Sequence, residues 1–148
     1  MTQQQVMFFE LSTILPKDAH EWLTNFELYC NKIDDIIDEP KCRADNEFIL
    51  RTFFFSCELF SSDFYVTHRK FLFPTMLLIT NAYADSVKFE QSTEQWKKTI
   101  ADVTRCALSM MIVQVVYLFV SYDKMREISP RLCACGWDAH HDKLGQSI

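Results

Sequence analysis

The sequence predicts an all-α fold, a single-domain and irregular bundle of five to six helices that spans residues 1–148. Three observations favour this fold. Apolar residues make up 49% of the chain, which is enough for a packed core. Only 2 glycines and 4 prolines are present, whereas all-β domains need frequent tight turns that use these residues. Apolar side chains also recur every three or four residues, which is the period of a helix.

The first amphipathic helix is predicted over residues 17–37. Pro16 suits the first turn of a helix, because its missing N–H needs no partner there. The apolar positions that follow are Trp22, Phe26, Tyr29, Ile33 and Ile36. Pro40 ends the helix. Residues 1–12 have no clear period, so they could form a short helix, an extended arm or a segment that packs on a partner. A flexible or partner-binding arm is thus one of the candidates for residues 1–12.

Further helices are predicted between residues 45 and 90. Asp45 or Asn46 can cap a helix that runs through Leu59. The cap-like segment 61–63 then starts a helix that reaches Phe73. Pro74 either kinks that helix or begins another one, which ends near residue 90.

The central helix is predicted over residues 93–122. It opens at 92–95, Ser-Thr-Glu-Gln, which has the form of a capping box. One apolar stripe follows, formed by Trp96, Ile100, Val103 and Ala107, and from residue 110 to 120 the helix is apolar almost all round. We therefore expect this helix, and above all its segment 107–122, to be buried. Ser129 and Pro130 predict the start of a last helix that ends near His141.

Segment 107–122 is too short to be expected to span a membrane. Its 16 residues cover about 24 Å as a helix, whereas the hydrocarbon layer is about 30 Å thick. Gln114 lies near its middle, where a polar amide without a partner is costly. We expect a buried core helix and no membrane span.

Charge and cysteine usage restrict the class of protein. The net charge is −5, and the densest charged cluster is acidic, at residues 34–39, so direct binding of nucleic acid is not expected. Two of the six cysteines, Cys57 and Cys106, lie in apolar helical stretches, where a free thiol packs as a small hydrophobic group. The first five residues lack the basic start of a secretory signal. These features predict a reducing compartment, and we expect a cytoplasmic protein.

Candidate catalytic residues are few. If the chain is an enzyme, His68 would act with the carboxylates Asp85 and Asp102, and Arg126 and Arg131 would supply positive charge. A structural polar network explains the same residues without catalysis. The two glycines leave little room for a phosphate-binding or oxyanion loop, and no motif of that kind is present.

The carboxyl-terminal residues offer one weak candidate metal site. Asp138 and His141 lie three residues apart, so on a helix they could reach one ion together. The remaining ligands would have to come from elsewhere, and the spacing of the nearby cysteines does not fit a zinc finger. We therefore expect no bound metal and no cofactor.

The leading functional hypothesis is a non-enzymatic helical interaction module, such as an adaptor, an inhibitor or an assembly subunit. Its partner would be another protein or a second copy of the chain. Missing catalytic motifs and the large number of phenylalanines favour it. The alternatives are a small metal-dependent hydrolase or nucleotide-binding enzyme, and a membrane-associated helical protein.

Overall fold

The computed structural model describes the backbone of residues 1–146 and the side chains of residues 1–106 and 108–135. Within these residues the chain forms eight helices and no strand. They are α1 Gln3–Ile14, α2 Lys17–Asp38, α3 Pro40–Arg43, α4 Asn46–Ser61, α5 Asp63–Glu90, α6 Gln95–Thr104, α7 Ala107–Phe119 and α8 Tyr122–Gln146. The predicted all-α class is confirmed. The helices outnumber the predicted five to six because α1 and the single turn α3 form and the 93–122 stretch is divided in two.

The first fourteen residues form a packed helix rather than a flexible arm. Thr2 caps α1, and its side chain and that of Gln5 complete a capping box. Met7 and Leu11 lie one turn apart and are only 3% and 0% exposed. His20 of α2 places Nε2 3.0 Å from the carbonyl oxygen of Phe8. The apolar pair therefore belongs to the core of this chain.

Two of the four prolines lie inside helices: Pro74, where the sequence allowed either a kink or a new helix, and Pro130, where it predicted a helix start. α5 runs from Asp63 to Glu90 through Pro74, so no new helix begins at that proline. α8 likewise runs through Pro130, so Ser129 does not cap a last helix. A proline within a helix costs one backbone hydrogen bond. The packing of both helices along their length offsets that loss.

Side-chain caps explain where α4 and α5 begin. Asp45 Oδ1 accepts hydrogen bonds of 3.1 Å from the backbone N–H groups of Glu47 and Phe48. Ser62 accepts one from Tyr65 in the same way. The predicted box at 92–95 does not form, because Glu94 is the N-cap of α6 and the Ser92 side chain bonds to Glu94 N–H.

The core is built around α7 and the aromatic cluster of α2. Met111, Ile112, Val115 and Val116 of α7 are fully buried, as predicted for the central helix. The prediction that the whole of segment 107–122 is buried is wrong, because Met110, Tyr117, Val120 and Tyr122 are exposed. On α2, the indole of Trp22 donates a hydrogen bond of 3.1 Å to the carbonyl oxygen of Leu59. This bond ties α2 to the end of α4 and satisfies a polar group that would otherwise be costly to bury.

α6 packs with the opposite face from the one predicted. Trp96, Ile100 and Val103 are exposed, whereas Ala101 is buried. α5, against which α6 packs, buries Ser86. Small residues on both helices allow their axes to lie close together. The apolar stripe of α6 therefore faces outward.

By length and composition alone, the stretch Gln95–Phe119 could cross a membrane. The core helix of a soluble protein can have the same length and composition. Of the 18 most apolar consecutive residues of this stretch, 29% are buried within the molecule. The stretch is divided at residues 105–106 into α6 and α7. The expectation of no membrane span stays a prediction.

Candidate functional sites

The continuous course of α5 separates the two residues proposed as a catalytic pair. His68 and Asp85 lie 17 positions apart on this one helix, a separation of about 25 Å along its axis. The helix continues through Pro74, so the chain does not turn back between these two side chains. They therefore lie at separate places along α5.

His68 has an aromatic environment. Its ring centroid lies 4.9 Å from that of Phe64 and 4.8 Å from that of Phe119, and the second contact is edge-to-face at 88°. The imidazole thus fills the space between α5 and the end of α7. This is the packing role of a half-buried histidine.

The other predicted site residues are distributed over separate parts of the molecule. Asp102 lines a cavity whose wall includes Thr80 and Tyr83 of α5 but not His68. Arg131 binds both carboxylate oxygens of Glu10, at 3.0 and 2.6 Å, and joins α8 to α1. Arg126 is exposed.

The predicted metal pair, Asp138 and His141, lies outside the described side chains. Among the side chains that are described, no group of three or more histidines, cysteines, aspartates and glutamates is arranged to hold a metal ion.

One cavity of about 310 Å³ lies where α1, α2, α5, α6, α7 and α8 meet. Most of its wall is apolar, and the side chains that form this part include Met7, Phe8, Phe26, Met76, Ile79, Leu108, Ile112 and Leu132. A polar end is formed by Asp34, Tyr83, Asp102 and Arg105. A concave apolar site with a few polar groups is the usual form of a small-molecule pocket.

Arg105 is the centre of the polar end. Its Nη1 lies 3.4 Å from Asp38 Oδ2, and its Nη2 lies 2.6 Å from Glu90 Oε2. The guanidinium also stacks on Tyr83, 5.5 Å from the ring centroid. Burial by itself would lower the pKa of Arg105, but Asp38 and Glu90 raise it above its usual value. The group is a fixed cation that holds α6 against α2 and α5.

Tyr83 is held in its neutral form. Its hydroxyl donates a hydrogen bond of 2.7 Å to Asp34 Oδ1. Burial, followed by the bond to Asp34 and the charge of that carboxylate, raises the pKa of Tyr83 well above its ordinary value. The hydroxyl is therefore a hydrogen-bond donor and is not poised to act as a base.

A second candidate site is an exposed apolar stripe on α4, which we call the α4 stripe. Its members are Leu50, Phe53, Phe54 and Cys57, all of them exposed. They lie at i, i+3, i+4 and i+7, so they share an arc of about 100° on the helix surface. Phe53 and Phe54 are 65% and 66% exposed. Large aromatic side chains in such an arrangement are typical of a surface that another helix covers.

Charged residues lie along one flank of this stripe. Glu47, Arg51 and Glu58 all follow the same edge of α4 at helical spacing. Arg51 Nη2 lies 2.6 Å from Glu47 Oε1 in the same helix. Along the opposite flank lie Ile49 and Phe60, which are half-buried.

The sequence predicted the helices that carry both sites but not the sites themselves. Arg105 lies at the junction of α6 and α7, which no capping residue or proline marks in the sequence, and no local pattern indicates that it pairs with Asp38. The α4 stripe belongs to a segment that is apolar on several faces, so its pattern did not show which face would be left exposed.

No family model matches the chain, and no curated protein or solved structure matches it either.

Proposed function

We propose that this chain is a non-enzymatic helical interaction module that self-associates through the α4 stripe. Two copies would place their α4 helices face to face and antiparallel around a two-fold axis. The observation that carries this proposal is the exposed set Leu50, Phe53, Phe54 and Cys57 on one face of a single helix.

The spacing of the stripe suits pairing with itself. Its midpoint falls between Phe53 and Phe54, so an antiparallel copy sets Phe53 opposite Phe54 of the second copy. The same register sets Leu50 opposite Cys57. Every member of the α4 stripe then meets an apolar side chain of the second copy, as an isologous interface requires.

Charge complementarity selects the antiparallel arrangement. A two-fold axis perpendicular to the helices brings the charged flank of one α4 onto the charged flank of the other. Arg51 then lies within about two residues, or 3 Å along the axis, of Glu58 in the second copy. A parallel pair would set this flank against the apolar flank that carries Phe60. Two intermolecular ion pairs therefore favour one orientation over the other.

Size-exclusion chromatography with light scattering tests the proposal. We expect the wild type at about 50 μM to have twice the mass of the chain. Phe54→Glu places a charge in the centre of the stripe and should give a monomer. Leu78→Glu is the matched control, because Leu78 is also exposed, but on α5, and it should remain dimeric. A monomeric wild type, or a dimer that only Leu78→Glu disrupts, contradicts the proposal.

A charge exchange tests the orientation. Arg51→Glu and Glu58→Arg each place like charges opposite one another, so each single variant should dissociate more readily than the wild type. The double variant restores opposite charges and should recover at least half of the lost affinity. If the double variant instead loses as much dimer affinity as the two single variants together, the antiparallel register is excluded.

Disulfide trapping gives an independent measure of register. The test protein carries Phe54→Cys in a background with Cys57→Ser and Cys133→Ser. In the proposed dimer, position 54 of one copy lies about 1.5 Å along the helix axis from position 54 of the other. Mild oxidation should therefore join the two introduced thiols in a covalent dimer. The native Cys57 lies about 10 Å along the axis from Cys57 of the second copy and should not. Rapid formation of a Cys57–Cys57 bond would indicate a parallel pair.

A second candidate function, association with a membrane surface, is favoured by the outer face of α6. Trp96, Ile100 and Val103 are exposed there, and Lys97 and Lys98 lie beside them. An amphipathic helix of this composition suits an anionic lipid surface. Flotation with vesicles that contain phosphatidylserine tests this candidate. Binding that is lost in Trp96→Ser and retained in Phe54→Glu would support it, and protein that stays at the bottom of the gradient would exclude it.

A further inference from the structure

We infer that the cavity between α1, α2 and α5–α8 binds an amphipathic cation, a molecule with an apolar body and one terminal ammonium group. The juxtaposition that carries this inference is an apolar wall that leads to the half-buried carboxylate of Asp34. This inference concerns a different surface from the α4 stripe, so it stands whether or not the chain self-associates.

One face of α2 lines the cavity from its apolar part to its polar end. Phe26, Cys30 and Asp34 follow one another at intervals of four residues, and all three line the cavity. Phe26 is fully buried, whereas Asp34 is half-buried. The wall therefore changes from apolar to charged over a distance of about 12 Å along the helix axis. A ligand that covers this distance is an elongated molecule with one charged end.

The size and wall of the cavity suit the apolar body of such a ligand. The volume of about 310 Å³ falls at the small end of the range found for small-molecule sites. Ile79 of α5 and Ile112 of α7 are buried side chains that also line it. Transfer of an apolar body from water to this wall favours binding.

The charges at the polar end favour a cation. Arg105 lines this end, but its guanidinium already pairs with Asp38 and Glu90. Asp34 adds a third carboxylate, and it forms no ion pair with the described residues. One guanidinium and three carboxylates leave net negative charge at this end. An anionic ligand is therefore repelled, and an ammonium group is attracted.

The thiol of Cys30 shows the same sign of the local potential. Cys30 lies one helical turn before Asp34 and lines the cavity. Burial, and then the negative charges of Glu27 and Asp34, raise the pKa of Cys30 to about 12. Carboxylates close to the wall thus disfavour a further negative charge there and favour a positive one.

The hydrogen bond that Asp34 already accepts leaves room for an ammonium group. A carboxylate has about four acceptor positions, and the hydroxyl of Tyr83 uses one of them on Oδ1. An ammonium group carries N–H donors that can bind another position without displacing that hydroxyl. Arg105 stacks on the ring of Tyr83 and pairs with other carboxylates. A new ion pair at Asp34 therefore breaks no existing one.

Four probes separate the contributions of the body and the charge. Octylamine, 1-octanol and octanoate share one chain length, and butylamine has the ammonium group on a shorter body. At about 2 mM and pH 7.5, octylamine should raise the melting temperature of the full chain by at least about 3 °C. Each of the other three should raise it by less than about 1 °C. No stabilisation by octylamine, or equal stabilisation by any other probe, would overturn the inference.

An isosteric pair of variants locates the charge. Asp34→Asn keeps the shape of the side chain and removes its charge, so it should weaken octylamine binding by at least about tenfold. Asp35→Asn makes the same change at the next residue of α2, which is exposed and lies outside the cavity lining. It should bind octylamine as the wild type does. Isothermal titration calorimetry measures both, and equal affinities in the two variants contradict the role of Asp34.

Cavity-filling variants locate the body of the ligand. Met76→Trp places a large side chain in the wall and should abolish the effect of octylamine, and Ser109→Phe does the same from α7 if the first variant fails to fold. Phe54→Glu changes only the α4 stripe and should bind octylamine normally, so failure of the proposed dimer leaves this result unaffected. Full octylamine binding by a folded cavity-filling variant would place the ligand elsewhere and overturn the inference.

Discussion

Tyr83 and Asp34 lie 49 residues apart in the sequence and are joined by a hydrogen bond of 2.7 Å between the phenolic hydroxyl and Oδ1. This bond connects α5 to α2 at the polar end of the cavity. The ring of Tyr83 also supports the guanidinium of Arg105, which pairs with Asp38 on α2. One tyrosine therefore helps to hold three helices at the place where the cavity is polar.

Replacing Tyr83 with Phe should lower the free energy of unfolding by about 1–2 kcal/mol, because the half-buried carboxylate of Asp34 loses a donor. Urea denaturation at pH 7 measures the loss. Tyr117→Phe is the control, since Tyr117 is exposed and its hydroxyl has no hydrogen bond within the described residues. Its effect should stay within about 0.5 kcal/mol. A loss of the same size in both variants would contradict the role given to Asp34.

The same bond predicts a dependence on alkaline pH. The pKa of Tyr83 is higher in the folded chain than the ordinary value of 10.0 that applies to the unfolded chain. Its contribution is therefore complete below about pH 10 and is lost as the pH rises through the folded pKa. The stability difference between wild type and Tyr83→Phe should shrink between pH 10 and 11. A difference that grows over this range would show that the pKa is shifted in the other direction.

The helices could be predicted from the sequence more fully than their faces. Caps such as Asp45 and Ser62 act through neighbouring backbone groups, so local sequence was enough to place the starts of α4 and α5. The direction in which α6 presents Trp96 depends on the whole of α5, against which α6 packs. Local periodicity carries no information about that contact, and it predicted the wrong side.

Two leucines of α5 differ in burial, and they should therefore differ in their contribution to the stability of the fold. Leu72 is 0% exposed and Leu78 is 71% exposed, and both lie in the same helix. Leu72→Ala should lower the free energy of unfolding by about 2–5 kcal/mol, because it leaves a cavity in the core. Leu78→Ala changes helix propensity equally but should cost less than about 0.5 kcal/mol. Chemical denaturation of both proteins measures the contrast, and similar losses would mean that α5 packs through a different face.

The candidate sites depended on contacts that no local pattern marks. His68 and Asp85 were predicted as candidate catalytic residues because each is an ionisable residue among apolar neighbours. A continuous α5 then placed them about 25 Å apart. Arg105, by contrast, lies beside residues with no catalytic motif and gains its role only when Asp38 and Glu90 approach from two other helices. Long-range pairing of this kind is a property of the fold.

The ion pair between Glu10 and Arg131 predicts a modest dependence on acidic pH. The hydrogen bond from Arg131, opposed by burial, lowers the pKa of Glu10 below 4.5. The stabilisation is therefore present above about pH 4.5 and is lost as the pH falls through the lower, folded pKa. Because both side chains are partly exposed, Glu10→Gln should cost less than about 1 kcal/mol at pH 7.

Thermal unfolding of Glu10→Gln and of wild type between pH 3 and 7 measures this effect. The two curves should converge near pH 3, and 0.5 M NaCl should reduce their separation at pH 7. Glu21→Gln is the control, because Glu21 and Lys17 form a looser and more exposed pair at 3.8 Å. A separation that persists at pH 3 would mean that Glu10 acts through packing and not through its charge.

Thiol reactivity should distinguish Cys30, the half-buried cysteine of α2, from the exposed cysteines. Burial, and then the negative charges of Glu27 and Asp34, raise the pKa of Cys30 to about 12. At pH 8 only about one molecule in 10⁴ carries that thiolate, which is the reactive form. Cys133 is exposed. A disulfide reagent should modify Cys133 within minutes and Cys30 only after unfolding, and mass spectrometry identifies the labelled site.

Cys57 should behave differently from Cys133, although both are exposed in the isolated chain. In the proposed dimer Cys57 packs against Leu50 of the second copy, so its labelling requires dissociation. The labelling rate of Cys57 should therefore fall as the protein concentration rises from 1 to 100 μM, whereas that of Cys133 should stay constant. In Phe54→Glu the rate at Cys57 should lose this dependence. A rate at Cys57 that does not depend on concentration in the wild type means that the α4 stripe remains uncovered, and self-association through it is then excluded.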